Sequence, residues 1–239
     1  VTWLSQVDVA PGRLRIGVQR MASNGARPVP AVDTALQDTV RLLESLGHHV
    51  EEAAPALGVS WQAFVHANAR IWCANLVPWI AALAQESGRA VSLDNLEPAT
   101  LACYQYGQTV SAVDFVAALD VRNTVTRHAA ALFEQYDVLL TPTMPDVPWQ
   151  LGRYGKDEAQ LDGLGWTARL FEHSPYTPLA NVAGLPAMSV PLAMSNEWLP
   201  IGMQFMAGYA QDGTLLRLAG QLERAAPWLS RRPPVWAGN

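Results

Sequence analysis

A short, dry segment does most to constrain the fold: Asp137-Val-Leu-Leu-Thr-Pro-Thr-Met-Pro145. Val138, Leu139 and Leu140 form an unbroken apolar run. That is the pattern of a strand covered on both faces, as in sheets sandwiched between helices. Pro142 and Pro145 then stop the strand. Proline has no N–H for a ladder and pushes the residue before it into extended geometry. The strand therefore ends in a turn bearing two hydroxyls, Thr141 and Thr143. In open α/β sheets, ligands bind at that end of the strands.

Residues 174–191 repeat the design. A short helix is expected over residues 177–182, with Pro178 in its first turn and Gly184 closing it. Residues 185–191 then form another short strand, with Pro186 and Pro191 near its ends.

The rest of the chain supplies partners for these strands. Residues 14–18 form a buried strand, and Pro30 opens a helix with Val32, Leu36, Val40, Leu43 and Leu46 on one face. Gly47 ends that helix and residues 49–52 form an edge strand, a unit that implies parallel pairing. Ser60 caps a helix over residues 61–85 whose only charge before Glu86 is Arg70. Trp61, Phe64, Ile71, Trp72, Leu76, Trp79 and Ile80 wrap all round it, so burial on every side is expected. Polar residues interrupt it and Pro78 should kink it, which excludes a membrane span. A helix is expected over residues 98–106, and Ser111 with Asp114 starts a long helix to about residue 135. Residues 150–166, rich in glycine and charge, read as a loop and a lid over a pocket. A strand over 199–207, a helix over 214–224 and an extended tail over 227–239 complete the chain.

Composition narrows the function. Half the residues are hydrophobic and 15% are charged, a low charge density for 239 residues, so some apolar surface is expected to need a cover. A net charge of −5 without a basic stripe excludes nucleic acid as a partner. Cys73 and Cys103 are too few for a disulfide framework, which points to a reducing compartment, the cytoplasm. Residues 1–5 carry no signal-peptide pattern. No cysteine–histidine spacing suits a metal, and His48-His49 lack acidic neighbours at ligand spacing.

The segment Asp137-Val-Leu-Leu-Thr-Pro-Thr143, followed by Thr177-Pro-Leu-Ala-Asn181-Val-Ala-Gly184-Leu-Pro-Ala187 and Ser189-Val-Pro191, resembles the C-terminal half of amidase-signature enzymes. Pro200-Ile-Gly202-Met-Gln-Phe-Met-Ala-Gly208, Gln221-Leu-Glu223, Leu14-Arg-Ile-Gly17 and Leu46-Gly47-His48 continue the match in order. Ala226-Pro-Trp228 with Arg231-Arg-Pro233 is similar to the tail of the branch that contains the 6-aminohexanoate cyclic-dimer hydrolases. The resemblance implies an α/β fold, in which residues 1–239 form part of a large mixed twisted sheet with helices on both faces. It also implies amide hydrolysis by a serine nucleophile, a bridging serine and a neutral lysine, with no cofactor. In the family the serines sit in a Gly/Ser-rich run, which this sequence lacks, and the single lysine, Lys156, stands in a different setting. The expectation is therefore a C-terminal portion without catalytic residues, partnered by a small amide substrate and by the enzyme's N-terminal half. A homodimer stays open, and so do two rival readings: a non-catalytic assembly subunit and an amidotransferase subunit.

Four residues are candidates for substrate contact. Thr141 and Thr143 stand at a strand end, where they line a cleft or cap a turn. Asn181 contacts substrate or ties down loop backbone, the ordinary habit of asparagine. Cys73, in Ile71-Trp-Cys73, resembles the segment that borders the acyl pocket in the cyclic-dimer-hydrolase branch; the alternative is an inert buried thiol. It is no nucleophile, because the nearest helical histidine, His66, lies about 10 Å away along the axis.

Overall fold

The computed structural model describes residues 2–156 and 160–232. Its five strands are β1 (Arg15–Val18), β2 (His49–Glu52), β3 (Val138–Pro142), β4 (Ala187–Met194) and β5 (Pro200–Ala207). They form one sheet in the order β2-β1-β3-β5-β4. β1 pairs in parallel with β2 and β3, whereas β5 runs antiparallel to both β3 and β4. The sheet is thus mixed, as expected.

Helices cover both faces. On one side lie α1 (Pro30–Ser45) and α7 (Asp212–Ala225). Val32, Leu36 and Leu43 of α1 and Leu215, Leu218 and Leu222 of α7 pack on Ile16, Val138, Leu140, Met203 and Phe205. On the other side lie α4 (Ala112–Gln135) and the short α6 (Pro178–Ala183). Leu139 and Met206 face Ala180 of α6 and Leu132 and Phe133 of α4. Successive β3 side chains thus enter opposite cores, as a period of two requires. All five β3 residues are buried. Burial of Leu139 and Leu140 stabilises the fold by about 2 kcal/mol each.

α2 (Trp61–Ser87), α3 (Pro98–Thr109) and α5 (Gly163–His173) form an outer layer. Ser60 caps α2 by accepting the Ala63 N–H (3.1 Å), and Ser111 caps α4 by accepting that of Asp114 (3.0 Å). Each cap satisfies one of the N–H groups that a helix start leaves without a partner. Phe64, Val65 and Ile71 of α2 are buried, but beyond them the helix departs from expectation. Trp72, Trp79 and Leu83 are 37%, 62% and 46% exposed, because α3, α4 and α5 cover only part of its circumference. The helix runs unbroken through Pro78.

Two further boundaries differ from the sequence reading. β4 continues past Pro191 to Met194, because it is an edge strand and its register shifts between Val190 and Ala193. A proline at a bulged edge leaves no ladder donor wanting. Residues 163–166 were expected in a loop but open α5, where the Asp162 carboxylate accepts the Gly165 N–H (2.7 Å). Of the tail expected over 227–239, residues 233–239 lie outside the described residues.

His48 locks the end of α1 to both neighbours. Its Nδ1 accepts the Leu14 N–H (3.1 Å), which leaves Nε2 as the donor to Gln221 Oε1 of α7 (2.8 Å). This histidine is a buried structural strut.

Candidate functional site

A cleft of about 1040 Å³ opens at the carboxyl end of β3. Its floor is built from three strands. Thr143 follows β3, Gly202 lies on β5 and Ser189 on β4. The Thr143 N–H donates to the Gly202 carbonyl (3.0 Å), extending the ladder by one rung. The Thr143 and Ser189 hydroxyls then meet across the middle strand, with Oγ1 and Oγ 2.6 Å apart. They can meet because Gly202 has no side chain. A Cβ there would lie 2.7 Å from Ser189 Oγ and 2.9 Å from Thr143 Oγ1. The pair leaves lone pairs and one proton for a third group in the cleft.

One wall is aromatic. Asp146 pins it, with Oδ2 accepting from Trp149 Nε1 (2.7 Å) and Oδ1 accepting the Val147 N–H (2.8 Å). The Trp149 ring meets the His173 imidazole edge-on at 4.2 Å, and Tyr154 tilts against the same imidazole at 5.3 Å. Arg153 lays its guanidinium over Trp149, 4.1 Å from the ring centroid. Burial, helped by the charges of Arg169 and Arg153, holds the His173 pKa below its ordinary value; Glu172 opposes them. Leu170 and Leu151 add apolar surface to the cleft.

Thr141 stands one pleat inside the floor and has no exposed surface. Its hydroxyl donates to the Pro142 carbonyl (2.7 Å) and accepts from Gln204 Nε2 (3.1 Å). Gln204 also donates to the Tyr176 carbonyl (3.2 Å), tying the entry of α6 to the sheet. The Tyr176 hydroxyl donates to the Arg20 carbonyl (2.7 Å). Burial, with the charge of Asp33 adding, pushes that phenol up to about 12. Asn181 is exposed on α6, and Cys73 is buried in the outer helical layer; neither borders the cleft. Of the four candidates, the cleft contains Thr143 alone.

Sequence reasoning passed over Ser189, Gly202, Trp149, Tyr154 and His173 as site residues. Ser189 and Gly202 were open to it, since Ser189-Val-Pro191 and Pro200-Ile-Gly202 flank the same turn. The aromatic wall was not, because it needs α5 in place.

A mixed sheet between helical layers, with a cleft at the carboxyl end of a central strand, is the architecture of an α/β enzyme. The amidase family matches residues 1–216, and the chain belongs to that family. AmiC of Mycobacterium leprae (strain TN), a protein assigned as an amidase, is 33% identical over 230 residues, which are 91% of this chain and 45% of AmiC. The 6-aminohexanoate-cyclic-dimer hydrolase of Paenarthrobacter ureafaciens is 28% identical over 237 residues, 94% of this chain and 46% of the hydrolase. The structure of 6-aminohexanoate cyclic dimer hydrolase complexed with substrate superposes with a TM-score of 0.80 at 27% identity, over 97% of this chain and 49% of that one. The chain thus spans about half the length of the curated relatives it matches. Among the described residues, no helix is long and apolar enough to cross a membrane.

Proposed function

We propose that this chain is the C-terminal portion of an amide hydrolase of the Ser-Ser-Lys class. In this reading it supplies the sheet, the strand-end cleft and part of the substrate pocket. The nucleophilic serine, the bridging serine and the lysine come from residues outside these 239. The Thr143–Ser189 hydroxyl pair hydrogen-bonds the substrate amide, and the aromatic wall at Trp149 packs on its apolar part. Amide hydrolysis as the reaction rests on the family and on the similarity to AmiC and the cyclic-dimer hydrolase.

The observation that carries the reading is the state of the single lysine. Lys156 is exposed, and its carbonyl accepts from Arg169 at 2.8 Å. The family's base is a lysine beside the reacting hydroxyls, and Lys156 is not among the residues that line the cleft. The cleft offers hydroxyls without such a base, and among the described residues no serine or threonine hydroxyl is hydrogen-bonded to His173. Two free thiols suit a reducing cytoplasm.

The test has two arms. The 239-residue chain alone should neither turn over simple amides nor take a label from a serine-directed fluorophosphonate. Co-production with the part of AmiC that this chain does not span should restore amide hydrolysis, and Gly202→Ala should remove it again by parting the two hydroxyls. Turnover by the isolated chain that the fluorophosphonate abolishes would overturn the proposal.

A further inference from the structure

The two cysteines, 30 residues apart in sequence, stand on the neighbouring helices α2 and α3 of the outer layer. α2 and α3 touch backbone to backbone there. A Cβ placed on Gly107 would fall 2.1 Å from the Cys73 carbonyl oxygen. Cys103 stands one helical turn before Gly107, so it shares the face of α3 that meets Cys73. On its other side Cys103 is held by α5, where a Cβ on Gly163 would come within 2.9 Å of the Cys103 Cα. Both are free thiols, Cys73 buried and Cys103 half-buried, on the facing turns of α2 and α3.

We propose that Cys73 and Cys103 form a peroxide-driven, reversible disulfide that staples α2 to α3. The half-buried Cys103 is the attacking thiolate, and the buried Cys73 resolves it. The Cys103 sulfur attacks a hydroperoxide, the O–O bond breaks, and one oxygen stays as a sulfenic acid while the other leaves as hydroxide or alkoxide. The Cys73 sulfur then attacks the sulfenic sulfur, the S–O bond breaks and the S–S bond forms. The departing hydroxide takes the Cys73 proton and leaves as water. Two thiols and one hydroperoxide thus give one disulfide, one water and one alcohol, or two waters from hydrogen peroxide. A dithiol reductant returns both thiols by exchange.

The division of labour follows from the surroundings. Cys103 is half-buried and so is the thiol a hydroperoxide reaches first, whereas Cys73 is buried behind it. Arg70 of α2, paired with Asp114 at 3.1 Å, and Tyr106 of α3, whose phenol burial pushes up, border the same seam. Thr167 of α5 spends its hydroxyl proton on the Gly163 carbonyl (2.9 Å). Transient, regulatory disulfides of this kind are the form found in reducing compartments.

The experiment uses the reduced 239-residue chain and hydrogen peroxide, followed by alkylation, intact mass measurement and peptide mapping. Free thiols should fall from two per chain to none, with a mass about 2 Da lower and the Cys73 and Cys103 peptides joined. Dithiothreitol should restore both thiols. Cys73→Ser should accumulate a Cys103 sulfenic acid that dimedone traps, whereas Cys103→Ser should leave Cys73 unoxidised over the same interval. Separate oxygen adducts on the two cysteines of the unsubstituted chain, or linkage only between chains, would overturn the proposal. Peptide mapping of the unsubstituted chain decides the matter even if a variant fails to fold.

Discussion

β3 and the second half of α2 are almost equally devoid of charge, yet one is wholly buried and the other stands in solvent. All five β3 residues are covered, with β1 and β5 at its sides and α1 and α4 on its faces. Beyond Ile71, α2 keeps Cys73 and Ile80 inside but leaves Trp79 62% and Leu83 46% exposed. Apolar composition states that a segment requires cover; it does not state that the cover lies in the same chain. If the rest of the enzyme lies outside these 239 residues, as proposed, the exposed stripe of α2 is a surface for it to cover. Truncations in the two regions should therefore differ sharply.

The largest effect belongs to the strand. Leu140→Ala opens a cavity where two helices and two strands converge, so it should cost about 2–5 kcal/mol. In urea this appears as a lower midpoint at an unchanged slope. A loss under about 1 kcal/mol would mean that the sheet core is looser than its burial indicates. Next comes the seam between α2 and α3. Gly107→Ala drives a methyl into the Cys73 carbonyl, and backbone cannot step aside as a flexible side chain can. A loss of about 1–3 kcal/mol is expected, read in the same titration.

These positions also divide what the sequence revealed from what it concealed. β3 was legible because its cover is local chemistry: three apolar residues and a proline stop leave few alternatives. The Ser60 and Ser111 caps were legible for the same reason, since each is satisfied three residues away. α5 was hidden by Gly163 and Gly165, which read as loop residues. Gly163 is there for proximity, since a Cβ would strike Tyr106 Cβ at 2.6 Å, and the Asp162 cap was the available signal. With α5 went the aromatic wall, because Trp149 and Tyr154 acquire meaning only against His173. Thr143 was legible from its strand end, but its partnership with Ser189 depends on Gly202 of the strand between them, about 60 residues on in sequence.

A smaller effect tests how β3 is entered. Asp137 precedes the strand and accepts the Arg15 backbone N–H (2.8 Å) and the Arg15 guanidinium (3.1 Å). Burial pushes its carboxyl up, but the hydrogen bonds and charge of Arg15 bring it below the ordinary carboxylate value. A folded-state pKa below the unfolded one gives stability that is present above the unfolded value, about 4. That stability is lost as pH falls through the folded one. The urea midpoint should thus decline on acidification in this window, and Asp137→Asn should flatten the decline. An identical pH profile in the variant would show that the pairing with Arg15 adds nothing to β3.

The smallest effect on stability is expected at the other pole of the comparison. Trp79→Ser removes a large side chain that is already mostly in water, so the unfolding free energy from the urea titration should change by no more than about 0.5 kcal/mol. What should change is the surface. Contiguous exposed apolar residues on a helix face bind hydrophobic dyes and drive self-association. The unsubstituted chain should therefore bind such a dye and elute as an oligomer, and Trp79→Ser should reduce both. The same substitution should also weaken restoration of activity by the remainder of a homologous amidase, because that polypeptide is the proposed cover. A variant that loses as much stability as Leu140→Ala would place Trp79 in a core of this chain. One that leaves dye binding and association unmoved would remove the exposed stripe of α2 as their source.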